Sequence, residues 1–173
     1  MARAAWWILM RTLAIILVLL AWHARGQETF SCESSAAHRA FDFWVGNWEV
    51  RDAQGKLQGY NVVTAAQDGC LLQEHWQSVR GGTGQSINYY HPGHGQWRQL
   101  WTDAGASIID IRGGLEGEAM VLSGTIYYLE SRSERPFRGR WTPLDDGRVR
   151  QFFEEQDESG AWQPWFEGFY SRR

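Results

Sequence analysis

The sequence is poor in cysteine, in proline and in positive charge, and these shortages exclude several classes of protein. Two cysteines in 173 residues are too few for a fold built on a disulfide framework. The formal net charge of −3 lacks the basic excess of a nucleic-acid-binding protein. The 19 glycines are scattered without a three-residue period, which excludes collagen-like and low-complexity chains. What the chain has in excess is tryptophan, 11 residues against 4 prolines, in a length that suits one globular domain.

One long apolar run occurs, and it lies at the N-terminus. Residues 12–22 form this run, and Arg3 and Arg11 precede it. The run is shorter than the ~20 residues that a membrane-spanning helix needs, and it is typical of a secretory signal. Small residues at Ala24 and Gly26 predict cleavage after residue 26, which leaves Gln27 as the new N-terminus. An uncleaved N-terminal anchor is the alternative, and it provides the one membrane attachment that we expect.

Export changes both the charge and the expected state of the cysteines. Residues 1–26 hold three of the 17 basic residues and none of the acidic ones, so 14 basic and 20 acidic residues remain, a net charge of −6. Such a surface repels nucleic-acid phosphates and anionic membranes. In the periplasm or outside the cell, Cys32 and Cys70 are expected to form a disulfide. Two free buried thiols are the alternative.

From Phe41 onward the chain alternates polar and apolar residues in short segments that turn signals separate. We therefore divide the chain into a signal peptide (1–26), a polar leader (27–40) with one helical turn at 35–39, and a single β-domain (41–173). The predicted strands are 47–52, 57–66, 71–79, 85–90, 96–102, 107–112, 118–122, 124–130, 137–142, 148–155 and 162–171. This all-β pattern predicts an antiparallel up-and-down meander of about ten strands closed into a barrel, because closure removes exposed edges. A two-sheet β-sandwich is the alternative.

The opening of the first strand carries a recognisable motif. Gly46-Asn47-Trp48 matches the G-x-W signature with which lipocalins and related calycin barrels begin. In those barrels the tryptophan lies across the closed end under a basic side chain from the last strand. The resemblance implies that Arg172 covers Trp48, a structural role.

A second resemblance spans Phe41 to Arg173. The chain resembles a family of uncharacterised secreted bacterial proteins that share an FDFW-x-G-x-W opening, a DGC-x-L-x-E-x-W strand, an S-x-N-x-Y strand and a W-x-Q-x-W-x-D strand. In this sequence these motifs begin at Phe41, Asp68, Ser86 and Trp97. The family implies a calycin-like barrel, distantly similar to nitrobindin-type haem barrels, but brings no activity with it. No histidine follows His94, so haem is not expected, and we expect no cofactor.

Strand alternation predicts which side chains share a face. One face mixes aromatic residues with amides, a serine and one acid. Its members are Leu72, Glu74 and Trp76; Ser86, Asn88 and Tyr90; Trp97, Gln99, Trp101 and Asp103; Gln151 and Phe153; Phe166, Gly168 and Tyr170. If this face points inward, it describes a small-molecule pocket, because such pockets set a few polar groups among aromatic walls. From this face we select Glu74, Trp76, Ser86, Asn88, Tyr90, Trp97, Gln99, Trp101 and Gln151 as ligand-binding residues.

Two other interpretations of that face remain open. The polar groups could satisfy one another inside a filled barrel, or the two faces could be reversed. Glu74 is a weak catalytic candidate, since an inward carboxylate has a raised pKa unless an arginine such as Arg112 or Arg140 pairs with it. The sequence has no recognisable nucleophile or metal motif, and we predict no metal site.

The sequence therefore favours an exported β-barrel that binds a small, partly apolar ligand in its lumen, as a monomer or weak dimer. An enzyme that uses Glu74 as acid or base is one alternative. The other is a filled barrel that contacts a protein or the cell envelope through exposed aromatics such as Trp162 and Trp165.

Overall fold

The structure is a computed structural model that describes residues 30–173. A short helix α1 (Ala36–Arg39) and a 3-10 turn (Asp42–Trp44) precede ten strands. The strands are β1 (Gly46–Arg51), β2 (Leu57–Ala66), β3 (Leu71–Ser78), β4 (Thr83–His91), β5 (Gln96–Asp103), β6 (Ser107–Glu116), β7 (Ala119–Tyr128), β8 (Ser133–Pro143), β9 (Val149–Gln156) and β10 (Trp162–Arg172). The predicted signal peptide at 1–26 lies outside the described residues.

The ten strands form one closed antiparallel barrel. Each strand pairs with its neighbours in the sequence, and β1 pairs with β10 to close the sheet, with Trp48 opposite Arg172. The prediction of a closed up-and-down meander is confirmed, and the β-sandwich alternative is wrong. Because the strands join through short turns, the loops collect at two ends, and these ends differ in structure.

The predicted break in the seventh strand is wrong. Segments 118–122 and 124–130 form one continuous strand, β7, in which Gly124 pairs with Ile111 and Phe137. A Cβ at Gly124 would come within 2.1 Å of the Asp110 carbonyl oxygen. This glycine therefore marks a close approach of two backbones inside the sheet.

A cluster of aromatic side chains closes one end of the barrel. Phe41 stacks on Trp44 with ring centroids 5.0 Å apart, and both rings contact Trp141. Trp48 is buried below them, and its indole nitrogen donates to the Trp44 carbonyl oxygen at 2.9 Å. The Arg172 guanidinium lies 4.4 Å from the Trp48 ring centroid, as the G-x-W resemblance implies. We call this the closed end.

Two further contacts bind the segment before β1 to the closed end. Cys32 and Cys70 form a disulfide, as predicted, which joins this segment to the turn between β2 and β3. The Trp97 indole nitrogen donates to the carbonyl oxygen of Ala37 in α1 at 2.9 Å. Residues 31–40, predicted as a polar leader, thus pack against the barrel. Within residues 30–173, no helix is long and apolar enough to cross a membrane.

We predict that loss of the disulfide destabilises the fold without changing its topology. The two cysteines are 38 residues apart, and a loop of this length corresponds to about 3–4 kcal/mol of unfolding free energy in the chain-entropy account. Urea unfolding of the wild type, with and without dithiothreitol, measures this loss. A variant with Cys32→Ala and Cys70→Ala should have the same free energy of unfolding as the reduced wild type, and dithiothreitol should not change it. Coincident unfolding curves for the oxidised and reduced wild type would contradict the prediction.

Candidate functional site

The inner face of the barrel carries an unusual number of polar side chains. Five buried residues on β3, β4, β5 and β9 point inward, and each is no more than 4% exposed: Glu74, Ser86, Asn88, Gln99 and Gln151. The intervening residues on the same strands, such as Gln73 and His75, are exposed. The predicted set of inward residues therefore does face the lumen, because side chains alternate across the sheet.

A cavity of about 440 Å³ occupies the half of the lumen opposite the closed end. Its floor includes Glu74, Gln99, Gln151 and Tyr170, and its mouth reaches the loops after β3 and β5. Its walls are mainly aromatic, from six side chains: Trp76, Trp101, Tyr128, Phe153, Trp165 and Phe166. A site with polar groups at its base and aromatic walls above them is typical of a small-molecule pocket.

Glycines on the barrel wall determine where three of these rings lie. A Cβ at Gly59 would come within 2.6 Å of the Trp76 ring, and one at Gly84 within 2.1 Å of the Trp101 ring. Phe153 lies in the same way over Gly139, at 2.4 Å. Each ring lies close against the backbone of a neighbouring strand because the glycine there has no side chain. The bulky aromatics therefore line the lumen without filling it.

A chain of hydrogen bonds connects the buried polar groups and ends at Glu74. Gln99 Nε2 donates to Asn88 Oδ1 at 2.8 Å, and Asn88 Nδ2 donates to Ser86 Oγ at 2.8 Å. Ser86 Oγ then donates to Glu74 Oε2 at 2.6 Å. From the other side, Asn61 Nδ2 donates to Glu74 Oε1 at 2.7 Å. The carboxylate is thus the acceptor at which both branches meet.

Glu74 is held by neutral groups alone. Among residues 30–173, no basic side chain forms an ion pair with it, and Arg140 pairs instead with Glu116 on the outer surface. Burial raises the pKa of Glu74 from 4.5 to about 7, although the hydrogen bonds from Ser86 and Asn61 act in the opposite direction. Burial disfavours the charged form because the lumen solvates a carboxylate less well than water does.

The mouth of the cavity has its own polar contacts. Asp103 accepts hydrogen bonds from the Trp101 indole nitrogen at 3.1 Å, from the Ser107 backbone nitrogen at 3.1 Å and from the Ser107 hydroxyl. On the opposite wall, the Trp165 indole nitrogen donates to the Tyr128 hydroxyl at 3.1 Å. These bonds fix the positions of the two indoles at the entrance.

The predicted ligand-binding residues fall at three depths. Glu74, Trp76, Gln99, Trp101 and Gln151 line the cavity. Ser86 and Asn88 contribute to the hydrogen-bond chain behind it. Tyr90 and Trp97 lie at the closed end, where Tyr90 packs on His38 and Trp97 contacts Phe41. Alternation predicts the face of a residue but not its height along the barrel, so it grouped all nine together.

Asn61, Tyr128 and Trp165 belong to the site but were not placed on the predicted inward face. Asn61 lies on β2, where its alternation with Gly59 and Val63 was a usable signal. Trp165 was expected on the outside because it is out of phase with Phe166. It is indeed exposed, at 41%, but a β-bulge between Pro164 and Phe166 inserts one extra residue, so the Trp165 indole and the Phe166 phenyl ring both line the cavity.

Comparisons with known proteins add no function to this geometry. No protein-family model matches the chain, and no curated protein matches it.

Within residues 30–173, no group of three or more His, Cys, Asp or Glu side chains is placed to hold a metal ion. His91, the last residue of β4, and His94 in the turn that follows have ring centroids 4.2 Å apart.

We predict that Glu74 makes the fold less stable as the pH rises towards 7. The unfolded chain loses the Glu74 proton near pH 4.5, whereas the folded protein keeps it until about pH 7. The free energy of unfolding therefore falls across this window, by about 3 kcal/mol. Glu74→Gln removes this loss, so its stability relative to the wild type should rise between about pH 4.5 and pH 8. Urea unfolding at several pH values measures the difference, and a difference independent of pH would contradict the prediction.

Proposed function

We propose that this protein is an exported carrier or sequestering protein that binds a small, partly apolar ligand inside its barrel. The observation that carries the proposal is the cavity of about 440 Å³, with an aromatic wall above a floor of buried polar groups. This volume lies within the range of roughly 300–1,000 Å³ that small-molecule sites occupy. Apolar burial against the walls supplies affinity, at about 25 cal/mol per Å². Glu74 and Gln99 supply orientation.

The proposed location rests on different residues. The disulfide between Cys32 and Cys70 is a bond that persists in oxidising compartments and is rare in the cytosol. Together with the apolar run at 12–22, it supports a periplasmic or secreted protein with the signal removed after residue 26. The closed barrel with Arg172 over Trp48 supports membership in the calycin-like secreted family that the motifs resemble. We propose a monomer or weak dimer.

The raised pKa of Glu74 favours one alternative, an enzyme that uses this carboxyl as acid or base. A group with a pKa of about 7 can both accept and donate a proton near neutral pH. Loss of turnover in Glu74→Gln with unchanged ligand affinity would support that alternative. The other alternative, a filled barrel that contacts partners through its surface, is less well supported. Trp165 is 41% exposed but also forms part of the cavity wall, and the Arg138 guanidinium covers Trp162 at 4.2 Å.

We predict that the neutral apolar fluorophore N-phenyl-1-naphthylamine binds in the cavity. Its fluorescence should rise on titration with the wild type, and Trp76→Ala or Trp101→Ala should weaken binding about tenfold, because each truncation removes a wall of the site. The matched control is Trp162→Ala, which truncates an indole that does not line the cavity. If all folded variants bind the fluorophore with the same affinity, the cavity is not the binding site.

Gly84→Val provides a complementary test that blocks the site. The new side chain would occupy the place of the Trp101 ring, because a Cβ there lies only 2.1 Å from it. The ring must then move towards the lumen, and fluorophore binding should fall at least tenfold in a protein that remains folded. Gly114→Val is the matched control, since a Cβ there meets nothing within 4 Å and Gly114 does not line the cavity. Full binding by Gly84→Val would show that the fluorophore binds elsewhere.

A further inference from the structure

We propose that the ligand is an organic cation, a protonated amine on a flat apolar body, whose charge pairs with the Glu74 carboxylate at the cavity floor. This inference rests on the proposed function, since it specifies the ligand class of the same cavity. Four observations about the described residues support it. They concern charge, hydrogen-bond direction, the walls and the distribution of other ionisable groups.

The first observation is a buried carboxylate without a cation beside it. Glu74 is 4% exposed, and its oxygens accept hydrogen bonds from the neutral side chains of Asn61 and Ser86 only. A buried charge without an opposite charge is costly, even when hydrogen bonds partly compensate it. Each carboxylate oxygen has a second lone-pair direction, and Glu74 lines the cavity. A cationic ligand would supply the missing charge from that side.

The second observation is the direction of the hydrogen bonds. Along the chain from Gln99 through Asn88 and Ser86, every donor points towards Glu74. Because each hydrogen bond in such a chain polarises the next, the chain strengthens the final hydrogen bond to the Glu74 carboxylate. The Glu74 carboxylate at the cavity floor is therefore a strengthened acceptor, which suits a ligand that carries N–H donors and a positive charge.

The third observation is the aromatic wall directly above this floor. Trp76 packs on Phe166 with ring centroids 6.1 Å apart, and Trp101 lies on the neighbouring wall of the same cavity. Aromatic faces attract cations through their negative quadrupole, most strongly where water is excluded, and they also pack well against a flat ligand. The same walls therefore suit both parts of an arylalkylamine, its flat ring and its protonated amine.

The fourth observation is the set of other ionisable groups around Glu74. The strands on either side present only neutral groups, Asn61 on β2 and Ser86 on β4. Tyr170 faces it from β10, and burial together with the charge of Glu74 raises the pKa of that hydroxyl well above 10, so it stays neutral. Gln151 on β9 is neutral. Farther out, the cavity is lined by Asp103, Tyr128 and the exposed Arg80.

These groups make the expected affinity depend on pH in one direction. Below about pH 7 a proton occupies Glu74 and must leave when a cation binds. An aliphatic amine stays protonated throughout, since its pKa is ~10. Affinity for the cation should therefore rise with pH up to about 7 and then level off. Affinity for a neutral ligand of the same shape should not change with pH.

The experiment displaces N-phenyl-1-naphthylamine from the full chain with three ligands that share an indole body. Tryptamine is a cation, tryptophol is neutral and indole-3-propionate is an anion. At about pH 8, tryptamine should bind at least tenfold more tightly than tryptophol, and indole-3-propionate most weakly. At about pH 5.5 the preference for tryptamine over tryptophol should fall about tenfold or more.

Glu74→Gln tests the residue, and Glu167→Gln is its matched control. The new amide keeps the shape of Glu74, and Asn61 can turn its amide to offer Oδ1 to the added N–H group. This variant should bind tryptamine and tryptophol equally at both pH values. Glu167, in an outer ion pair with Arg150, should be replaceable without effect.

The outcomes separate this inference from the function on which it rests. If the fluorophore binds but tryptamine binds no more tightly than tryptophol at about pH 8, the proposal of a cationic ligand is wrong. The proposal that the barrel binds a small ligand is then unaffected. If the tryptamine preference persists in Glu74→Gln, the carboxylate is not its cause and the inference is overturned. If the fluorophore does not bind to the wild type at all, the proposed function fails and this inference fails with it.

Discussion

A carboxylate buried without a counter-ion determines the character of the lumen. Glu74 stands on the inner face of β3, where neutral side chains donate hydrogen bonds to it and aromatic side chains line the cavity beside it. Asn61 and Ser86 contact it directly, while Asn88 and Gln99 extend the chain across two more strands. A barrel interior selected for stability alone would be aliphatic. The polar floor costs folding free energy, and such costs are concentrated where a protein binds or reacts.

The rest of the fold keeps that floor accessible from one side and sealed from the other. At the closed end, Phe41, Trp44 and Trp141 pack ring against ring, and the disulfide joins the segment before β1 to the barrel. At the opposite end, the Trp76 and Trp101 rings lie close against glycines of adjacent strands. One half of the barrel thus contains the packed core, and the other half contains the cavity.

The sequence predicts the faces of this barrel better than its depths. Period-two alternation put Glu74, Gln99 and Gln151 on one shared face, which the structure shows to be the inner one, and tight turns predicted the meander, because both signals are local. The height of a residue in the barrel depends on strand stagger, a global property, so Trp97 was grouped with the ligand site although it packs at the closed end. The break predicted between residues 122 and 124 is wrong because local sequence cannot show that Gly124 allows the backbone of another strand to approach closely. The bulge that lets the exposed Trp165 also line the cavity could not be predicted for the same reason.

The measurement that tests this account most directly is the ionisation of Glu74 itself. Carbon-13 NMR of side-chain carboxyls, with Glu74→Gln to assign the resonance, gives its pKa in the folded protein. The account predicts a value of about 7, from a carboxyl that the barrel shields from water and leaves without a cation. A titration near the ordinary glutamate value of ~4.3 would contradict it, because the floor would then be well solvated or already paired with a positive charge.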